Sequence, residues 1–291
     1  MGIIENALER LRRNGASPDS LGVRDKVVAL EAWSTPPPSE VISTRQIRLD
    51  RPQLRAAGYL PEVGQEPRFA DYYREIKRPI IQRAFAPGAT ANQRLILVTS
   101  ALPAEGKTFT ALNLALSIAR ERDLSVLLID ADFPKGHIGR ALGVEDEPGL
   151  LDAVADPSQN VESCIMATDV KGLEVLPGGR SSAHAAELVA SARMGEIVAR
   201  LVAHNPRRLV LFDSAPLLLS SEARALNQLP GQIILVARSG LTPRRALQEA
   251  ITQIDGKKLQ GLVLNNAHAK THGYYYDYPK RIGREANDEF R

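Results

Sequence analysis

The sequence lacks several features that mark particular classes of protein. It contains one cysteine, Cys164, in 291 residues, which excludes an internal disulfide bond and agrees with a reducing compartment. No apolar run approaches the roughly 18 residues of a membrane-spanning helix, and no signal peptide is recognisable. The 37 basic residues nearly balance the 34 acidic ones, so the net charge of +3 does not indicate a nucleic-acid-binding protein. These absences predict a cytoplasmic protein that does not bind nucleic acid.

Aromatic residues are also scarce, at 5% of the chain, yet they are unevenly placed. Four of the 7 tyrosines lie near the C-terminus, at Tyr274, Tyr275, Tyr276 and Tyr278. A small packing patch is one interpretation of this cluster. The stretch around it is polar, however, which raises the question of why the phenol groups are concentrated there.

The first 66 residues do not show the pattern of a folded domain. Residues 3–13 place apolar side chains at helical spacing, which predicts a short helix. This helix either docks on its own or a neighbouring subunit, or is an amphipathic element for a partner or a membrane surface. The stretch that follows, through about residue 66, includes Pro36-Pro37-Pro38 and scattered charges, which indicates a linker with little fixed structure. A further helix is predicted from Arg68 to Phe85.

From Arg94 onward the chain alternates short apolar runs with helical patterns. Each run is almost continuously apolar, as strands buried on both faces require. Strands that alternate with helices predict a mostly parallel, doubly wound α/β sheet with helices on both faces, in which ligands bind at the C-terminal ends of strands. The predicted strands are RLILVTS (94–100), SVLLID (125–130), LEVLP (173–177), RLVLFD (208–213), QIILVA (232–237) and GLVLN (261–265).

The first of these strands leads into a phosphate-binding pattern. Residues 101–108 read ALPAEGKT and are followed by a predicted helix, which is the context of a Walker A motif. Backbone N–H groups of such a loop cradle phosphates, Lys107 would reach the β- and γ-phosphates, and the Thr108 hydroxyl would hold Mg²⁺. The motif has glycine at its first position, whereas this chain has Ala101.

Aspartates follow two other predicted strands. Asp130 and Asp132 come just after one strand, and Asp213 ends another, where a Walker B aspartate belongs. Either group alone could be a helix cap. Together with the loop at 101–108 they favour a metal–phosphate site, because Mg²⁺ prefers oxygen ligands. The five histidines show no metal-ligand spacing.

These motifs carry a family resemblance. In order, ALPAEGKT, VLLIDADF, LVLFDSAP and the terminal tyrosine cluster resemble the bacterial tyrosine kinases, over residues 68 to about 278 and the opening MGIIENALERLRR. The chain is most similar to the tyrosine autokinases of exopolysaccharide loci, particularly those beside exosortase systems. GYLP, KRP, SARM and SSEARAL have counterparts in that subgroup.

The resemblance implies a P-loop NTPase fold and assigns site residues. It implies ATP and Mg²⁺ as cofactors and tyrosine autophosphorylation as the activity. The implied catalytic residues are Lys107, Asp130, Asp132 and Asp213, and the implied metal-binding residues are Thr108, Asp130, Asp132 and Asp213. The implied nucleotide-binding residues are Ala104, Glu105, Gly106, Lys107, Thr108, Phe109 and Asn265. The implied autophosphorylated residues are Tyr274, Tyr275, Tyr276 and Tyr278.

The resemblance also implies partners. The family has an oligomerisation motif of Glu, Arg and Arg at three-residue spacing, and Asp71, Arg74 and Lys77 take those places here. The resemblance therefore implies a ring-like, phosphorylation-dependent homo-oligomer. The alternative is that these residues form a solvated, charged helix face. A separate transmembrane polysaccharide co-polymerase would hold the protein peripherally at the inner membrane. Two departures from the family pattern are Ala104, in place of glycine, and Pro134, in place of arginine.

The predicted organisation has three parts, and two other functions stay open. An N-terminal helix and flexible linker (1–66) precede the kinase domain (67–267) and the tyrosine-rich tail (268–291). The alternatives are a positioning ATPase, which would carry a lysine where Leu102 stands, and a non-catalytic ATP-binding regulator of a polysaccharide co-polymerase.

Overall fold

One eight-stranded sheet organises the part of the chain that the computed structural model describes, residues 46–267. Its strand order is β1-β4-β5-β3-β6-β2-β7-β8, and all neighbours are parallel except β4 and β5. The strands are β1 (Gln46–Ile47), β2 (Leu95–Ser100), β3 (Ser125–Ala131), β4 (Met166–Thr168), β5 (Leu173–Leu176), β6 (Arg208–Ser214), β7 (Gln232–Arg238) and β8 (Leu259–Asn265).

Helices connect these strands and cover both faces of the sheet. They are α1 (Arg51–Ala56), α2 (Glu66–Ala84), α3 (Lys107–Ile118), α4 (His137–Leu142), α5 (Leu150–Ala155), α6 (Ala185–Val189), α7 (Ala192–His204), α8 (Ser221–Leu226) and α9 (Arg244–Thr252). The predicted α/β class with a mostly parallel sheet is confirmed.

Two hydrophobic cores explain the continuous apolar runs of the central strands. Side chains alternate along each strand, so Ile96 and Val98 of β2 join the core under α2 and α3. Leu97 of the same strand joins the opposite core, with Met194 and Leu201 of α7. Because both faces are covered, every position of β2 and β6 is buried.

The six predicted strands and the helix predicted at 68–85 are confirmed, and two strands were missed. β1 and β4 have two and three residues, too few for a recognisable pattern. The helical pattern AELVASARMGEIVARLVA, at 186–203, is divided between α6 and α7. It breaks at Ser191, whose side chain accepts a hydrogen bond from the Met194 N–H group at 3.2 Å and caps α7.

The interpretation of the chain up to residue 66 as a linker is wrong for residues 46–66. This segment contributes β1 and α1, and Leu54 of α1 is 1% exposed in the core under α3. The Leu49 N–H group donates to Asp169 Oδ1 at 3.1 Å, and Arg55 pairs with Glu66 at 3.0 Å. Residues 1–45 and 268–291, with the predicted N-terminal helix and the tyrosine tail, lie outside the described residues.

The burial of Leu54 predicts that α1 contributes to the stability of the domain. Leu54→Ala should lower the free energy of unfolding by about 2–5 kcal/mol, because it leaves a cavity in a packed core. Urea unfolding monitored by circular dichroism measures this, with Arg51→Ala on the exposed side of α1 as the control. Equal stabilities for the two variants would show that α1 does not dock on the domain.

Candidate nucleotide and metal site

The candidate site lies where the central parallel strands end. Strands β3 and β6 pair so that Asp130 and Asp213 are direct neighbours, and β2 lies on the other side of β6. The loop after β2, residues 101–106, leads straight into α3. The predicted phosphate loop and the two acidic strand ends therefore meet at one edge of the sheet, as expected for ligand sites in such folds.

The loop before α3 uses two left-handed backbone conformations. Gly106 has φ +93°, and a Cβ atom there would lie 1.9 Å from Asn265 Nδ2, so glycine is required both by conformation and by space. Ala104 has φ +60°, a conformation that costs an L-residue roughly 1–2 kcal/mol. The alanine found where the family has glycine therefore keeps the glycine conformation.

Glu105 fixes the inside of this loop. It is 1% exposed, and its Oε2 atom accepts a hydrogen bond from the Leu102 N–H group at 2.8 Å. Its other carboxylate oxygen accepts a hydrogen bond from the Thr242 hydroxyl. The Leu102 side chain packs against the core, so the position that holds a lysine in positioning ATPases is apolar here.

The ends of β7 and β8 hold the outside of the loop. Asn265 Nδ2 donates to the Glu105 carbonyl oxygen at 3.0 Å, and Arg238 Nη1 donates to the Ala104 carbonyl oxygen at 3.2 Å. The structure thus places Asn265 against the loop, and its predicted contact with the nucleotide stays a prediction. Arg238 and Thr242 are loop supports that the sequence did not indicate.

Lys107 begins α3 and is buried among acidic groups. It is 6% exposed. Burial lowers the pKa of its ammonium group, while the charges of Asp213, Asp132 and Glu105 act in the opposite direction. The nearby charge of Lys135 lowers the pKa further, which places that lysine close to the same pocket.

Asp213 is fully buried, and its carboxylate is not satisfied. Neither oxygen accepts a hydrogen bond of normal geometry from a described residue, although the Thr108 hydroxyl is close enough to lower the pKa. Burial, followed by the charge of Asp130, raises this pKa well above its ordinary value. A buried carboxylate whose oxygens lack hydrogen bonds of normal geometry fits a site whose remaining ligand is a cation.

Asp130 is buried too, but it has partners. Its Oδ2 atom accepts a hydrogen bond from the Gly139 N–H group at 2.8 Å, and its Oδ1 atom accepts one from the Asp132 N–H group at 3.3 Å. Burial raises the pKa of Asp130 to about 6, against the effect of these hydrogen bonds.

Asp132 is 2% exposed and lies 3.2 Å from His137, measured from Oδ2 to Nδ1. His137 was interpreted as a surface or capping residue. Its side chain is 35% exposed at the start of α4, so it does lie at the surface, and its imidazole contacts the second aspartate of the pair.

The site fits a magnesium ion that binds together with phosphate. Within residues 46–267, no group of three or more His, Cys, Asp or Glu side chains is placed to hold an ion alone. Mg²⁺ does not need such a cage, since it commonly takes one or two carboxylates, substrate phosphates and waters. The Thr108 hydroxyl and Asp213, with Asp130 and Asp132 beside them, supply that kind of ligand set.

The other predicted residues, Phe109 and the three assigned to oligomerisation, differ in where their side chains lie. Phe109 directs its ring toward α2, where it meets Phe69 edge-to-face at 5.7 Å, so only its backbone could serve a nucleotide. Asp71 and Arg74 form an exposed ion pair at 2.7 Å. Lys77, the third residue of the predicted oligomerisation motif, is buried and bonds to its own chain, so its role in assembly stays a prediction. Its Nζ atom lies 2.8 Å from the Ser117 carbonyl oxygen and 2.7 Å from Glu121.

Comparison with known proteins identifies the family. No family model matches the chain. It is 30% identical over 194 residues to the tyrosine-protein kinase Wzc of Salmonella typhimurium. This alignment covers 65% of this chain and 26% of that protein. It is 32% identical over 185 residues to the tyrosine-protein kinase YwqD of Bacillus subtilis, which covers 63% of this chain and 76% of that protein. The chain belongs to the bacterial tyrosine kinase family.

A solved structure of the same family has the same fold. The kinase domain of the Escherichia coli tyrosine kinase Etk is 25% identical, with a TM-score of 0.61 over 78% of this chain and 98% of that domain. The predicted P-loop fold is thereby confirmed, whereas the exosortase-linked subgroup stays a prediction. The chain spans about a quarter of the length of Wzc. Between residues 46 and 267, no helix is long and apolar enough to cross a membrane.

The raised pKa of Asp130 makes the stability of the domain depend on pH. The folded chain holds this proton up to about pH 6, whereas the unfolded chain releases it near pH 3.8. The folded state therefore binds more protons in this window, and the free energy of unfolding falls as pH rises through it. Because one pKa unit is about 1.4 kcal/mol, Asp130→Asn should be more stable than the wild type by about 3 kcal/mol at pH 7.5, and by much less at pH 4.

Urea unfolding at both pH values, in magnesium-free buffer, measures this difference. Asp146→Asn, at an exposed position, makes the same chemical change away from the site and should not shift stability between the two pH values. A difference between Asp130→Asn and the wild type that stays constant from pH 4 to 7.5 would contradict the assignment.

Proposed function

We propose that the chain is an ATP-dependent protein-tyrosine autokinase that phosphorylates its own C-terminal tyrosines, Tyr274, Tyr275, Tyr276 and Tyr278. Family membership supports the activity, and the tyrosine cluster supplies an acceptor in the same chain. The observation that carries the proposal is the buried pair of Lys107 and Asp213, with the half-buried Thr108 beside them at the start of α3.

Each polar group of the site has a use in phosphoryl transfer, which depends mainly on positioning and charge stabilisation. Lys107 neutralises charge on the phosphates, and the N–H groups at the start of α3 hold them. When bound, Mg²⁺ supplies charge neutralisation between the phosphates, and Thr108 and Asp213 would hold it.

Asp130 is suited to receive the proton of the acceptor. A tyrosine hydroxyl, with a pKa of about 10, is a poor nucleophile at neutral pH. A carboxylate with a pKa of about 6 is ionised at pH 7 and is a stronger base than an ordinary aspartate. As the tyrosine oxygen bonds to the γ-phosphorus and the bond to the leaving ADP oxygen breaks, the phenolic proton moves to Asp130.

Assembly and partners extend the proposal. The exposed Asp71–Arg74 pair on α2 is available for contacts between subunits of a homo-oligomer. A separate membrane protein that controls polysaccharide chain length would recruit the kinase to the inner membrane, where its phosphorylation state regulates exopolysaccharide synthesis and export.

The central prediction is that phosphorylation of the tail requires Lys107. Lys107→Met should lower tail phosphotyrosine by at least about 100-fold, because a buried charge at the transferring phosphate is lost. Mass spectrometry after incubation with Mg·ATP measures the phosphotyrosine, with the exposed Lys171→Met as the matched control and the four-fold Tyr→Phe tail as the blank. Free phosphate without phosphotyrosine would instead identify a positioning ATPase, and neither product a non-catalytic regulator.

A second prediction concerns assembly. Full modification of four tyrosines adds roughly −6 to −8 charges, at about −1.5 to −2 each, and carries the net charge from +3 to about −3 to −5. Subunits should then repel each other and dissociate. Size-exclusion chromatography with light scattering should show smaller species after Mg·ATP for the wild type and no change for the four-fold Tyr→Phe tail. Identical profiles for both would contradict charge-driven dissociation.

A further inference from the structure

The last strand of the sheet, β8, presents apolar side chains to solvent. Leu262 is 51% exposed and Leu264 is 55% exposed. Val263, between them, packs against the core under α2 and α3, so the two leucines lie on the opposite face of the sheet. On that face Leu262 is the direct neighbour of the buried Leu235 of β7. The core on this face therefore ends at β7 and leaves the leucines of β8 half exposed.

The strand β8 is also an open edge of the sheet. Within residues 46–267 it pairs only with β7, so the backbone groups on its outer side meet no other strand. Edge strands are usually short, or carry charged residues or proline, which prevents another strand from pairing with them. The opposite edge, β1, has only two residues, whereas β8 has seven, LQGLVLN, and none of them is charged. A long, uncharged, apolar edge indicates that another segment pairs with it.

The chain that follows β8 begins at this edge. The strand ends at Asn265, and Asn266 has φ +54°, a left-handed conformation that hairpin loops commonly contain. The Asn266 N–H group donates to Asn265 Oδ1 at 2.9 Å, and the Asn265 carbonyl oxygen accepts from the Ser239 N–H group at 2.9 Å. The tail, residues 268–291, continues directly from this point. A segment that folds back here runs antiparallel to β8.

The tail sequence has the alternation that such a strand needs. Three phenol groups stand at every second position, since Tyr274, Tyr276 and Tyr278 alternate with Tyr275 and Asp277. In an extended strand these three rings share one face, and the two side chains between them point to the other. Aromatic residues are favoured in strands, and apolar pairs across strands stabilise a sheet.

We propose that the unmodified tail docks on β8 of its own chain as an antiparallel ninth strand. Tyr274 then lies opposite Leu264. The same register sets Tyr276 opposite Leu262, because antiparallel partners advance in opposite directions. This pairing fills the open edge and covers both exposed leucines with phenol rings.

Docking bears on the supply of acceptor tyrosines. A docked phenol is not free to enter a nucleotide site. A phosphorylated one, with a charge of about −1.5 to −2, is disfavoured against leucine. The edge therefore holds the tail before modification and releases it afterwards. This consequence rests on the proposed function, whereas the docking itself does not.

Hydrogen–deuterium exchange of the full chain, treated with phosphatase and kept free of ATP, measures the docking. The β8 amides that face away from β7 should be protected in the wild type. Tyr274→Ser together with Tyr276→Ser should speed their exchange about 10-fold or more, because both cross-strand pairs are lost while the domain is unaltered. Tyr275→Ser, on the other face of the tail, is the matched control and should change exchange by less than about twofold.

A change on the strand side tests the same contact. Leu262→Ser together with Leu264→Ser should speed exchange of the tail amides at 274–278 by about 10-fold or more as well. The control is Leu219→Ser, which removes a leucine that is 64% exposed after β6 and should have no effect on these amides.

Three results would overturn the inference. Equally fast exchange of the β8 amides in the wild type and in the double tail variant would show that the tail does not pair with this edge. Equal effects of Tyr275→Ser and the double tail variant would exclude a contact made by one face of the tail. Protection that is lost when the wild type is diluted would assign the edge to a second copy, since docking within one chain does not depend on concentration.

The outcome is separable from that of the proposed function. Because no ATP is present, each of these results leaves the proposed kinase activity standing. Conversely, a chain that forms no phosphotyrosine with Mg·ATP could still show the protected β8 amides.

Discussion

Negative charge buried at one edge of a parallel sheet is the constraint on which the rest of this structure depends. Asp130, Asp132 and Asp213 are each 2% exposed or less, and isolated buried carboxylates are unfavourable. The Lys107 ammonium group balances part of this charge, and the Gly139 N–H group donates a hydrogen bond to Asp130. Asp213 lies near the Lys107 charge and the Thr108 hydroxyl, but neither of its oxygens accepts a hydrogen bond of normal geometry from a described residue. Its burial is therefore unfavourable until a cation binds, which is a common loss of stability at a functional site.

The same constraint shapes the sheet. Carboxylates can only be held at such positions if their strands are rigid, and β3 and β6 are rigid because α2 and α3 cover one face and α7 the other. The continuous apolar runs that mark these strands are therefore part of the site. The strand register then brings the carboxylates together, because the pairing of β3 with β6 sets Asp130 directly beside Asp213.

The sequence could predict what is encoded locally. Six strands, the phosphate loop and three strand-end aspartates each have a pattern of their own. What it could not predict depends on contacts between distant segments. The burial of Lys77 comes from its position against α3, and the contact of Asn265 with the loop joins residues 160 positions apart.

The segment at 46–66 was missed for a different reason. The run Pro36-Pro37-Pro38 upstream and the scattered charges led to a linker prediction that extended through residue 66. Pro52, however, stands in the first turn of α1, where proline is favourable, two residues after the capping residue Asp50. The Asp50 side chain accepts a hydrogen bond from the Gln53 N–H group at 2.9 Å. A helix start signal was present, and the surrounding composition concealed it.

The contact between Asn265 and the phosphate loop also bears on how the tail reaches a site. Tyr274 follows Asn265 by nine residues, and nine extended residues span at most about 30 Å. Tyr274 is thus within about 30 Å of its own phosphate loop by chain length alone, and under the proposed function a neighbouring site is within reach only if subunits pack closely. Transfer between subunits thus depends on assembly, whereas transfer within one chain does not, so the dependence of phosphorylation rate on protein concentration distinguishes the two routes.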